Sequence, residues 1–120
     1  MKYDPLMILL VRLVNLRDAG RPCISCGRTY AKMDVGHYYG KGAYPNLKYD
    51  EMNVHLQCRR CNMQSNVQGY QRGLLERYGQ DFLDILERKS RACLRMRKAQ
   101  KEDLLIYLNG KIKELERASA

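Results

Sequence analysis

Tryptophan is absent from this 120-residue chain, and Phe82 is its only phenylalanine. That leaves little aromatic bulk for a core, and a thin-cored domain of this size gains from a cross-link. A long apolar run is missing as well. The most apolar stretch, residues 7–14, is broken by Arg12 and falls well short of the roughly 18 residues of a membrane span. Asp4 and a single lysine precede that stretch, which is not the basic flank of an export signal. Together these absences argue against a membrane protein and set the expectation of a soluble, cytoplasmic chain. Acid is scarce too. Thirteen acidic residues against 22 basic ones leave a net charge of +9, which favours polyanionic partners, nucleic acid first.

Four of the five cysteines fall in two Cys-x-x-Cys pairs, Cys23/Cys26 and Cys58/Cys61, with 31 residues between the pairs. In a reducing compartment such pairs hold metal more often than they form disulfides. Four thiolates complete a tetrahedral Zn²⁺ shell, and a closed shell is structural. In small zinc peptides that binding contributes roughly 10–16 kcal/mol, enough to offset a thin core. The fifth, Cys93, stands alone among basic residues as a structural or free thiol.

Asp4-Pro5 is a helix start, and Leu6, Leu9, Leu10, Leu13, Val14 and Leu16 follow with helical spacing until Gly20 and Pro22. Arg12 and Arg17 fall off that stripe and read as solvated. After the first knuckle, residues 22–27, two short strands are expected over 28–33 and 34–39. A glycine- and proline-punctuated loop follows over 40–46. Residues 53–56 lead into the second knuckle, and a helix is expected from Cys61 to about Tyr78, ended by Gly79. The last third reads as helical. Phe82, Leu83, Ile85 and Leu86 share one face; Leu104, Leu105, Leu108, Ile112 and Leu115 share another, interrupted by Gly110. Residues 88–101 carry seven basic side chains and no acid, as either a solvated face or a phosphate-tracking surface. The expected architecture is α+β. Residues 1–79 hold a helix and a zinc-stabilised core, and 80–120 form a basic helical extension of the same domain.

Because the cysteines fill the zinc shell, His37 and His55 are free of that duty. Taken singly, each reads as a structural histidine. His37 stands out by its place between the knuckles, before a glycine-rich loop, where a neutral imidazole is suited to activating a water. Asn62 and Asn66 are four residues apart, hence on one face of the expected helix. Their side-chain oxygens suit a hard divalent ion such as Mg²⁺, and helix capping is the competing role. Arg59, Arg60 and Lys41 are candidate phosphate clamps, and Tyr38 and Tyr39 either stack on bases or pack.

The segments RPCISCG and GHYYGKGAYPNLKYDEMNVHLQCRRCN, with the GY-x-x-GL that follows, resemble the phage-lambda NinG (Rap) recombination endonucleases. The resemblance runs from about Leu13 to the C-terminal helix. It implies a small ββα-metal, HNH-like core and a metal-dependent DNA endonuclease of a bacterial host's cytoplasm. Branched recombination intermediates such as Holliday junctions or D-loops would be its substrates. By the same resemblance His37 is the general base and Asn53 fixes its imidazole. Asn62 is a ligand of catalytic Mg²⁺ or Mn²⁺, and Asn66 a second candidate. One departure stands out: the acid or histidine ligand that often precedes the base is here Gly36, and Asp34, the nearest acid, is the remaining candidate ligand of the catalytic metal. Three residues along an extended strand put Asp34 on the face opposite His37 unless a bulge intervenes. Arg91, Arg95 and Arg97 complete the candidate DNA contacts. Symmetric cutting of a four-way junction would call for a homodimer. The alternative is a zinc-stabilised nucleic-acid-binding module without catalysis.

Overall fold

The computed structural model describes residues 3–30, 32–92 and 94–119, so Cys93 lies outside the described residues. Helix α1 spans Pro5–Arg17. Asp4 caps it by accepting from the Met7 amide at 3.2 Å, and Pro5 occupies the first turn, where no donor is needed. Its stripe of Leu6, Leu10, Leu13 and Val14 is buried against Leu108 and Ile112 of α5 (Lys98–Ser119) and against Val54 and Leu56. Gly110 does not interrupt α5, because Leu108 and Ile112 on either side of it anchor the same face.

Among the described residues one sheet is formed. Strand β1 (Asp34–His37) pairs antiparallel with β2 (Val54–Gln57), Asp34 lying opposite Gln57 and His37 opposite Val54. All four residues of β2 are buried. Strand alternation sends Val54 and Leu56 to the α1–α5 core and turns His55 and Gln57 to the other face. There the chain continues into α2 (Arg59–Met63), α3 (Val67–Tyr78) and α4 (Gln80–Ser90). A second core of Ile24, Leu47, Tyr70, Leu74, Leu83 and Leu86 joins α3 and α4 to the first knuckle and the 38–53 loop. Helix α3 lies directly on the knuckle backbone through Gly69 and Gly73. A Cβ at either would overlap the carbonyl oxygens of Ser25 and Ile24 respectively.

Several expectations need correction. No strand forms at 28–30 or 32–33. The Cys23 amide donates to the Arg28 carbonyl at 2.8 Å, which closes the knuckle turn, and β1 takes its partner from β2 instead. The strand expected over 34–39 ends at His37. The helix expected from Cys61 to Tyr78 is two helices. Ser65 sits in the left-handed region at φ 51°, and the Asn66 side chain caps α3 by accepting from the Gly69 amide at 3.0 Å. Arg17 is not solvated: its guanidinium makes a two-pronged pair with buried Asp18, at 2.8 Å on both prongs, and donates to the Glu51 carbonyl at 2.7 Å. Arg12 pairs with Glu116 of α5 at 3.0 Å. The basic segment starts in the last turn of α4, is irregular over 94–97 and re-enters helix at Lys98.

Candidate functional site

The two Cys-x-x-Cys pairs, 31 residues apart in sequence, meet in space. The sulfurs of Cys23, Cys26, Cys58 and Cys61 all lie within 4.8 Å of one another, and Cys26 Sγ is 3.9 Å from Cys58 Sγ. A tetrahedral zinc with bonds of about 2.3 Å sets its sulfurs about 3.8 Å apart. Main-chain amides already point at the sulfurs: Ser25 and Cys58 donate to Cys23 Sγ, and Cys61 donates to Cys58 Sγ. Burial pushes the Cys61 thiol up to about 12 and also raises Cys23. At Cys26 burial is outweighed by the Arg28 amide and neighbouring side-chain bonds, and the thiol falls to about 7. A thiol held as high as that of Cys61 needs a nearby cation to become a thiolate. The cluster can hold a metal such as zinc.

Beside this knuckle a cleft of about 470 Å³ gathers His37, Tyr38, Lys41, Gln57, Asn62 and Asn66 among its lining residues. His37 stands where β1 gives way to the 38–53 loop, and its Nε2 lies 2.9 Å from the Lys48 carbonyl oxygen. A carbonyl only accepts, so the ring proton sits on Nε2 and Nδ1 carries the lone pair. Burial lowers the imidazole's proton affinity, and the charges of Lys41 and Lys48 lower it further against the opposing carbonyl bond. The ring is therefore neutral at neutral pH. Asn53 does not touch that ring. Fully buried, it accepts from the Tyr39 amide at 2.8 Å and donates to the carbonyls of Tyr39 at 2.9 Å and Leu47 at 3.1 Å. It staples the loop that carries the Lys48 carbonyl.

Asn62 and Asp34 are brought together. Asn62 Nδ2 donates to Asp34 Oδ2 at 3.3 Å, and Arg59 pairs with the same oxygen at 3.7 Å. Asp34 is not among the residues lining the cleft; it stands behind Asn62. Gln57 holds a comparable position, with its Nε2 donating to Ser25 Oγ at 2.8 Å. The expected i, i+4 pairing of Asn62 with Asn66 is corrected by the break at Ser65. Asn66 spends its oxygen on the α3 cap and its amide nitrogen on Cys61 Sγ at 3.6 Å. Asn62 Oδ1 remains turned to the cleft wall at Gly36, 3.3 Å from where a Cβ would sit.

The basic candidates divide. Lys41 lines the cleft, and Arg59 and Arg60 are exposed beside it on α2. Arg91, Arg95 and Arg97 are exposed but do not line it, and Arg91 is paired with Glu87 at 2.6 Å. Tyr38 and Tyr39 pack edge to face with each other and against Tyr70 and Tyr44. His55 is structural: Tyr70 donates its hydroxyl to the Gly36 carbonyl at 2.7 Å and so accepts from His55 Nδ1 at 3.2 Å. Burial, reinforced by the Arg17 charge, drops His55 to about 3. Sequence reasoning missed Gln57, Ser25, Tyr70 and the Lys48 carbonyl. The signal for Gln57 was a polar residue ending a run that is otherwise Val-His-Leu.

The two-stranded sheet, the flanking helices and the thiol cluster define a small α+β protein built on a four-cysteine knuckle. The chain belongs to the NinG family: the model for "Bacteriophage Lambda NinG protein" matches residues 6–118. The ninG protein of Escherichia phage 933W is 45% identical over 77 residues, which cover 62% of this chain and 38% of the relative. The ninG proteins of Salmonella phage P22 and Escherichia phage lambda match over the same shares, 62% of this chain and 38% of theirs, at 45% and 43% identity. The chain therefore matches well under half the length of these relatives. No solved structure matches it. No helix among the described residues is long and apolar enough to cross a membrane.

Proposed function

We propose that this chain is a metal-dependent endonuclease of the HNH, ββα-metal type that hydrolyses phosphodiester bonds in DNA, with branched recombination intermediates as preferred substrates. The observation that carries the reading is His37. Its Nε2 proton is committed to the Lys48 carbonyl, which leaves Nδ1 as a neutral base in a cleft shared with Lys41 and Asn62. The succession β1, β2, α2 and the knuckle beneath it have the order of a ββα core. A net charge of +9 supplies the attraction to a polyanion.

In this reading Zn²⁺ at the four cysteines is structural. His37 Nδ1 takes a proton from a water, whose oxygen attacks phosphorus in line. The bond from phosphorus to the 3′-oxygen breaks, and that oxygen leaves, taking a proton from solvent. Lys41, Arg59 and Arg60 neutralise flanking phosphates. Asn62, backed by Asp34, offers the oxygen that would hold Mg²⁺ or Mn²⁺. When bound, that ion supplies charge stabilisation on the phosphate and the leaving oxygen.

The test is cleavage of four-way-junction and linear DNA with Mg²⁺ or Mn²⁺. His37→Ala is expected to lose cutting by on the order of 10² to 10⁴-fold while still binding DNA. Unchanged cutting by that variant refutes the assignment. An unmutated protein that binds junctions but cuts nothing with either metal is instead the zinc-stabilised binding module. Paired, symmetric cuts would require a second copy of the chain on the junction.

A further inference from the structure

Resting on the nuclease reading above, we infer that Gln57, held by Ser25, supplies the divalent-cation ligand that Gly36 cannot. A Cβ at residue 36 would overlap Gln57 Oε1 and lie 3.3 Å from Asn62 Oδ1, so a side chain there requires Gln57 to swing aside. The space in front of the strand just before His37 is thus occupied by two side-chain carbonyl oxygens from elsewhere in the chain.

Both amides are oriented by their nitrogens. Gln57 Nε2 donates to Ser25 Oγ at 2.8 Å, and Asn62 Nδ2 donates to Asp34 Oδ2 at 3.3 Å. Both oxygens lie beside the position that a Cβ on Gly36 would take. No hydrogen bond among the described residues ends on Gln57 Oε1 or Asn62 Oδ1, and both residues line the cleft that holds His37. Two acceptors beside one spot, neither engaged by a donor of the described residues, leave their lone pairs for water or for a cation. Neutral oxygen donors at that spot, with an acid one bond removed, match the preference of a hard divalent ion.

The positioning of Gln57 belongs to the thiol knuckle. Ser25 stands between Cys23 and Cys26, and its own amide donates to Cys23 Sγ at 3.4 Å. Gln57 immediately precedes Cys58, whose amide donates to the same sulfur at 3.2 Å. A cation held by the cysteines thereby fixes both the ligand and the hydroxyl that aims it. Gly36 is the necessary counterpart, since any larger residue would displace the Gln57 oxygen.

Mn²⁺ titration of the zinc-loaded full chain, followed by electron paramagnetic resonance without DNA, tests this directly. Gln57→Met keeps the bulk and removes the oxygen, and is expected to weaken Mn²⁺ binding by more than about ten-fold. Gln57→Glu puts a charge on the ligand and is expected to tighten it. Ser25→Ala, acting through Gln57, should weaken it by up to about ten-fold with zinc content unchanged. Wild-type Mn²⁺ affinity in folded Gln57→Met overturns the inference. If that variant fails to fold, unchanged affinity in Gln57→Glu does so. Either result leaves the nuclease reading standing where the unmutated protein binds Mn²⁺ and cuts. An unmutated protein that takes up no Mn²⁺ and cuts no DNA overturns both.

Discussion

His37 Nε2 donates to the main-chain carbonyl of Lys48 at 2.9 Å, and that carbonyl belongs to a loop that Asn53 closes. Control of the imidazole is thus one step removed from Asn53, whose three side-chain bonds end on Tyr39 and Leu47. A main-chain carbonyl is a good anchor for a base because mutation cannot delete it. Its position is only as good as the loop beneath it.

Asn53→Ala is accordingly expected to loosen the loop and let water reach the His37 ring. Burial is the largest cause holding that ring below its ordinary value, so exposure should raise it toward the usual figure of about 6.5. If the chain is a nuclease, only the neutral imidazole can take the proton. In the unmutated protein cutting should fail only as pH drops through a point below about 6.5, and the variant's acid limb should move upward. A pH–rate profile reads that shift. Loss of rate with an unmoved limb would assign Asn53 a structural role alone.

If the four thiols hold zinc, its removal should unfold more than the knuckle. Cys23, Cys58 and Cys61 are buried together, and α3 rests on the same backbone through Gly69 and Gly73. Cys58→Ser, or prolonged chelation, is expected to cost on the order of 10 kcal/mol of metal-coupled stability and leave the chain largely unfolded. Zinc analysis alongside far-ultraviolet circular dichroism checks it. A folded, zinc-free protein would contradict it.

Two helical glycines should respond with opposite signs. At Gly73 an added methyl overlaps the Ile24 carbonyl, a backbone atom that cannot swing aside. Gly73→Ala should therefore destabilise by about 1–3 kcal/mol or more despite its better helix propensity. Gly110, in α5, has nothing within 4 Å of that position. Gly110→Ala should stabilise by up to about 1 kcal/mol. Urea denaturation of the pair settles both.

What the residues announced in advance was what is local. The Cys-x-x-Cys spacing, the Asp4-Pro5 helix start and the apolar faces of α1, α4 and α5 each depend on residues a few positions apart. Strand pairing depends on distant ones. Residues 28–33 were a plausible neighbour for β1 in sequence, but its partner is 54–57, whose four residues are all buried. The break after Met63 was hidden because Ser65 adopts a left-handed backbone without being glycine. Asn66 was legible as either a metal-binding oxygen or a helix cap, and it serves as the cap of α3. The Lys48 carbonyl had no signature, since any residue supplies one.

The segment from residue 88 to 101 carries the last expectation. Its seven basic residues are not equivalent. Lys89 is spent on Asp50 at 2.8 Å, and Arg91 shares its charge with Glu87, while no bond or ion pair among the described residues engages the Arg95 and Arg97 side chains. Exposed pairs such as Arg91 with Glu87 contribute little, so that arginine can be released to a phosphate. If the segment tracks DNA, neutralising Arg91, Arg95 and Arg97 together should weaken binding and flatten its salt dependence. Three phosphate contacts correspond to a change of up to roughly 3 in the slope of log K against log salt. Because none of the three lines the His37 cleft, cleavage at saturating protein and low salt should fall far less than binding does. Binding isotherms across a salt series measure the slope, and an unchanged slope would place the DNA on the Lys41, Arg59 and Arg60 side alone.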